Sequence, residues 1–215
     1  VAQILEGPWP DRAPVRRGRS PVPAVRVLPS DSMFGGMTRP EWPGRSRTGS
    51  LILPLRDASD GPRSGLRELG GLPLTPKEEL HLTLLSTSEA NELATHLPEQ
   101  AWQDAFEDLH WTLAPSGKAV LLSENKVEGL DYSVVTPVDC PALNAFRQRL
   151  SEASGAFLAP TVPHVTLWTR PKGRGIGISS TEDYRKLFVR ELADDEARSL
   201  LQDTVFNGPV GKSRT

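Results

Sequence analysis

Cysteine is nearly absent from this chain. The single one, Cys140, cannot close an internal disulfide, which removes the small disulfide-stapled scaffolds and fits a reducing compartment. Long apolar runs are missing as well. The most continuous, "HVTLW" and "AVLL", fall far short of the roughly 20 residues needed to cross a bilayer. No charged-then-apolar leader opens the chain, so neither a signal peptide nor a membrane contact is expected, and the expected setting is cytoplasmic. Val rather than Met at position 1 leaves room for fused neighbouring domains in a longer parent chain. Nor is there an excess of charge of one sign. The formal net charge is −2, so any nucleic-acid contact must be local rather than a property of the whole molecule. Catalytic signatures are thin too: there is no Gly-x-Ser-x-Gly for a hydrolase nucleophile. The terminal "GPVGKSRT" lacks the first glycine of a phosphate loop.

What is present begins with an asymmetry. Residues 1–48 are rich in Arg and Pro and hold no Lys, which reads as an extended arm of polyproline character. The functional alternative is an RNA-facing flap, with Arg16, Arg17 and Arg19 on phosphates and Trp9 or Trp42 available for stacking. Residues 49–215 alternate strand and helix patterns, long enough to bury a core as a monomer. "GSLILPLRD" reads as a strand and "DGPRSGLRELGGLPLTP" as loop. "ELHLTLLS" is a strand, followed by helical spacing through "TSEANELATHL" and "PEQAWQDAFEDL", with Ser88 as the N-cap. "LHWTLAP", "KAVLLSE" and "LDYSVVTPV" read as three short strands. "DCPALNAFRQRLSEASG" is the clearest helix, capped by Asp139, with Leu143, Phe146 and Leu150 at helical spacing. "VPHVTLWTR" is a further strand and "RPKGRGIGISS" a glycine-rich connection. Helical turns through "TEDYRKLF" and "ADDEARSLL" close the chain.

Two units repeat. Strand "SLILPLR" leads through a connection to "HLTLL", and strand "DYSVV" leads through a helix to "PHVTLW", a weak duplication that suggests a two-lobed α+β domain. Each second strand carries a histidine followed two places later by threonine. Alternate side chains of a strand share a face, so His81 stands beside Thr83 over Leu82 and Leu84, and His164 beside Thr166 over Val165 and Leu167. Two imidazoles and two hydroxyls suit displacement at phosphorus. One histidine deprotonates the attacking oxygen, the other protonates the leaving oxygen, and the hydroxyls hold the non-bridging oxygens. No carboxylate or Cys/His cluster accompanies them in sequence, so neither metal nor other cofactor is expected. A third histidine, His110 in "LHWTL", copies the figure with a bulky Trp111 between. It falls outside the duplication and is expected to be a structural strand histidine, while His96, late in a helix, is expected to be a surface or cap residue.

The paired "HLTL" and "HVTL", with the helix "PALNAFRQRLSEA" leading into the second, resemble the His-x-Thr motifs of the 2H phosphoesterase superfamily. That superfamily includes RNA 2′,5′-ligase-like proteins and 2′,3′-cyclic nucleotide phosphodiesterases. The resemblance covers about Gly49 to Arg170. It implies two antiparallel-sheet lobes with flanking helices around a central cleft, and metal-independent hydrolysis. His81 and His164 would be the acid and base, and Thr83 and Thr166 would bind the phosphate. The implied substrate is an RNA end or small nucleotide with a 2′,3′-cyclic phosphate or a 2′,5′ or 3′,5′ linkage. Where that family has a helix before its first motif, this chain has the loop-like stretch. A non-catalytic module that binds the same ligands in the same cleft is the rival reading, and a metal enzyme built on His81 and His110 is a third. Continuing the His164 face by two-residue steps adds Trp168 as a stacking candidate and Arg170 as a phosphate contact; otherwise the strand leaves the cleft and Trp168 packs inside. Arg170, Lys172 and Arg174 together form a local basic patch expected beside the cleft.

Overall fold

The computed structural model describes residues 40–57, 65–201 and 206–209. Trp9, Arg16, Arg17 and Arg19, and with them the arm reading, lie outside the described residues. In chain order the elements are β1 (Leu51–Asp57), β2 (Arg67–Leu69), β3 (Leu72–Pro76), β4 (His81–Leu85), α1 (Thr87–Leu93) and α2 (Glu99–Glu107). There follow β5 (Ala114–Pro115), β6 (Val120–Lys126), β7 (Gly129–Asp139), α3 (Pro141–Ser154) and β8 (His164–Arg170). The last are α4 (Thr181–Leu187), β9 (Phe188–Glu191), α5 (Asp194–Leu201) and β10 (Phe206–Pro209).

The class is α+β, with a large antiparallel sheet whose main path runs β10-β1-β4-β8-β7-β6-β9. The sequence duplication has a spatial counterpart. β1 pairs with β4 and β7 pairs with β8, both antiparallel, and the two pairs meet where Leu82 of β4 lies opposite Val165 of β8. One face of the sheet is apolar and covered by helices. Leu82, Leu84, Val165 and Leu167 share a core with Leu93 of α1, Phe106 of α2, Phe146 of α3 and Leu200 of α5. Each such fully buried side chain contributes about 1.5–3 kcal/mol, so the backing of both histidine strands is firmly held. Among the described residues, the other face carries a small cluster in which Val120, Leu122 and Val135 meet Ile176 and Ile178.

Several local readings change. The stretch before β4 is not all loop: Gly70 and Gly71, both at positive φ, close a two-residue hairpin between β2 and β3. That geometry favours the Gly-Gly pair the sequence places there. "LHWTLAP" is a strand only at Ala114–Pro115, because Trp111 turns inward, donates from Nε1 to the Phe106 carbonyl (3.0 Å) and stacks on the Phe106 ring. Helix α1 is capped by Ser86 rather than Ser88, with Glu89 completing a capping box. At α3 the N-cap is Cys140, one residue past Asp139, with Pro141 at the helix start. The Cys140 side chain is buried, and burial pushes its thiol above the ordinary value, away from nucleophilic use.

Candidate active site

Strands β4 and β8 run antiparallel with Leu82 opposite Val165, so the residues one step to either side are brought together crosswise. His81 comes beside Thr166 and Thr83 beside His164, all four on the face opposite the helices. They line one cleft of about 360 Å³. Its walls come from the turn holding Thr48 and Ser50, from the start of α1, and from the glycine-rich connection through Gly175 and Ser179.

His164 is buried and its Nδ1 lies 2.8 Å from the Val162 carbonyl, which can only accept. The proton of the neutral ring therefore sits on Nδ1, leaving Nε2 with its lone pair as the nitrogen available to the cleft. His81 Nδ1 is buried without a partner among the described residues, so the protein fixes no tautomer there. Both imidazoles are held below their ordinary pKa. For His81 the main cause is burial, with Lys77 acting the same way and Glu79 opposing. For His164 it is burial again, opposed by the Val162 carbonyl and reinforced by His81. The hydroxyls of Thr83 and Thr166 have no hydrogen bond to another described residue, whereas Thr169 accepts from the Gly173 amide at 3.1 Å. The motif threonines thus keep their bonding capacity for a ligand.

The depressed histidines give stability a direction with pH. On acidification the unfolded chain takes up protons near pH 6.5 while the folded chain takes them up only lower. The contribution is therefore complete above about pH 6.5 and declines below it. We expect the melting temperature to fall between pH 7.5 and pH 5, and to fall less in His164→Gln; an equal fall in the variant would mean burial of this ring is not the cause.

Four expectations are corrected. Trp168 does not continue the His164 face. Opposite β7, Val134 pairs with Trp168 and Val135 with Thr166, so Leu167 is an extra residue, a β-bulge that reverses the phase of the strand. Trp168 is 1% exposed on the helix side, donating from Nε1 to the Leu200 carbonyl at 3.1 Å, and cannot stack on a ligand. Arg170, at the exposed end of β8, is not among the residues lining the cleft. Its basic neighbours are paired away: Lys172 with Glu78 at 3.2 Å, and Arg174 with Glu128 at 2.9 Å and Asp131 at 3.7 Å. His110 is exposed on the irregular segment after α2, not on a strand, and does not line the cleft, whereas His96 is at the surface beyond α1, as expected of it. Trp42 sets its ring edge-on against Phe106 (centroids 5.4 Å apart), so it is part of the body rather than a free stacking platform.

Two further residues bear on the cleft without a motif to mark them: Lys77 lines it, and Arg147, on the otherwise apolar stripe of α3, links the first histidine strand at Leu84 to the segment before the second at Ala159. Arg147 had a signal: it stands at helical spacing between Leu143 and Leu150, where an apolar residue belongs. Among the described residues, no group of three or more His, Cys, Asp or Glu side chains is arranged to hold a metal ion.

No family model matches the chain, and no curated protein or solved structure matches it.

Proposed function

We propose that the chain is a two-histidine phosphodiesterase of the 2H type, opening a cyclic phosphate or cleaving a phosphodiester on an RNA end or small nucleotide. The observation that carries this reading is the crosswise meeting of two His-x-Thr strands at Leu82–Val165, with all four polar side chains lining one cleft. The halves of the sheet on either side of that junction are read as the two lobes. A cleft of about 360 Å³ lies within the roughly 300–1,000 Å³ of small-ligand pockets.

In this reading Thr83 and Thr166 donate to the non-bridging oxygens and hold phosphorus between the rings. His164 Nε2, unprotonated, takes the proton of the attacking water as the new P–O bond forms. His81, across the cleft, gives its proton to the leaving ribose oxygen as the old P–O bond breaks. One water is consumed, and the two histidines end with their protonation states exchanged.

The test is hydrolysis of 2′,3′-cyclic nucleotides and a cyclic-phosphate-ended RNA in EDTA, followed by phosphate-monoester product. We expect turnover in EDTA, and turnover within about 2-fold of wild type in His110→Ala, because that ring does not line the cleft. Binding of the cyclic nucleotide without turnover would replace this reading by the non-catalytic module. Activity lost in EDTA and in His110→Ala would replace it by the metal enzyme.

A further inference from the structure

Phosphoryl transfer places added negative charge on the non-bridging oxygens, and the single positive charge that the two imidazoles share does not balance it. The cleft lining holds a single lysine or arginine among the described residues, Lys77. It is also the first lysine in the chain, after 76 residues whose only strongly basic side chains are arginines. Its backbone is fixed at the end of β3: Pro76 pairs with Trp168 of β8, and the Lys77 amide donates to the Leu167 carbonyl at 2.8 Å, beside the bulge. The side chain then runs into the cleft. Nζ donates to the Gly173 carbonyl at 2.8 Å, which leaves two of its three hydrogens uncommitted. A methyl carbon placed on Gly175 would lie 3.9 Å from both Lys77 Nζ and Thr166 Oγ1, so ammonium and hydroxyl flank the same stretch of the connection. The contrast with its neighbours decides the matter. Lys172 and Arg174 are answered by carboxylates, while Lys77 has no ion pair among the described residues.

We propose that Lys77 is a third phosphate-binding residue of this cleft, supplying the fixed positive charge that stabilises the oxyanions of the transition state. The proposal rests on the phosphodiesterase reading for its catalytic part, but not for its anion-binding part. An ammonium that strengthens its hold as charge builds up lowers the barrier more than it tightens the ground state. Lys77 also acts on His81, whose charged or titratable neighbours are Glu79, Lys77 and His164, and it opposes protonation of that ring. A bound phosphate would offset this effect. The commitment to Gly173 ties the glycine-rich wall to the same ammonium.

The test uses Lys77→Met and Lys77→Arg in the full chain, with inorganic phosphate as the probe alongside 2′,3′-cyclic nucleotide. Melting curves first establish that both variants fold; if Lys77→Met does not, Lys77→Gln takes its place. We expect Lys77→Met to lower kcat about 100-fold with KM changed less than about 5-fold, and Lys77→Arg to keep activity within about 10-fold. NMR of the imidazoles should show phosphate shifting His81 and His164 in wild type, with affinity at least 5-fold weaker in Lys77→Met. Without phosphate, His81 should titrate higher in that variant, a change that a merely structural latch on Gly173 would not produce. If wild type binds phosphate but hydrolyses nothing, the enzyme reading fails, and weaker binding in Lys77→Met still supports the anion site. Unchanged phosphate affinity and unchanged kcat in Lys77→Met would overturn the proposal.

Discussion

His81→Gln and His164→Gln are each expected to reduce turnover of a cyclic phosphodiester by about 10²–10⁴-fold, the range over which positioned acid–base groups act. Glutamine keeps the length of the side chain and a polar end but transfers no proton near neutral pH. The substitution therefore separates chemistry from packing, which matters because His164 is buried and an alanine there would also leave a void. The double variant should be little worse than the poorer single one, since the two rings serve one displacement and a cleft that has lost either has lost the concerted step. The pH profile adds a second readout. Burial holds both imidazoles below the ordinary histidine value, so kcat/KM, which reports the free enzyme, should peak below about pH 6.5. The profile of kcat should peak higher, because a bound phosphate anion favours the protonated rings. With His164 as base, the rate rises with pH as that ring loses its proton, and His164→Gln removes the acid limb. With His81 as acid, the rate falls as that ring loses its proton, and His81→Gln removes the alkaline limb. Exchange of the two limbs would reverse the roles, while full activity in either variant would end the two-histidine mechanism.

The residues that make this prediction were readable because a strand alternates. "HLTL" and "HVTL" state in four letters which side chains face the cleft and which meet the core, and the described burial of Leu82, Leu84, Val165 and Leu167 follows that alternation. Helix α3 was legible for the same reason at a period of 3.6. Alternation also explains where the reading failed. One extra residue at Leu167 reverses the phase, and nothing in "HVTLWTR" announces it, so alternation alone leaves Trp168 a cleft candidate although it belongs to the core. The hairpin at Gly70–Gly71 and the cap at Ser86 were different: both had local signals, a Gly-Gly pair and a Ser-x-x-Glu, that the loop-like composition around them obscured. Lys77 had no such signal. Its place depends on β3 lying beside β8, a pairing between residues about 90 positions apart.

Arg147 gives the largest expected effect on stability. Its guanidinium, with only 6% of the side chain exposed, donates to Glu89 at 2.5 and 3.3 Å, to the Leu84 carbonyl at 3.0 Å and to the Ala159 carbonyl at 2.7 Å. Leu84 is on the first histidine strand and Ala159 is in the segment leading to His164, so one side chain on α3 links that strand to the approach of the other. Glu89 is itself bound into the start of α1, accepting from the Ser86 amide at 2.8 Å. Desolvation makes the net worth of such a pair modest, and Arg147 Nε is buried without a described partner, which adds to the cost. Breaking the pair is another matter. Arg147→Met leaves the Glu89 carboxylate without its counter-charge and two carbonyls without the guanidinium, and should cost about 3–5 kcal/mol in urea unfolding. For a chain of this size that corresponds to roughly 6–20 °C in melting temperature. Arg147→Lys should recover only part, because a single ammonium cannot reach three acceptors set out for a planar fork. Adding Glu89→Gln to Arg147→Met should cost less than the two single losses summed, since the stranded charge is then gone. A loss below about 1 kcal/mol in Arg147→Met would show that the sheet and its apolar core hold the two strands together unaided.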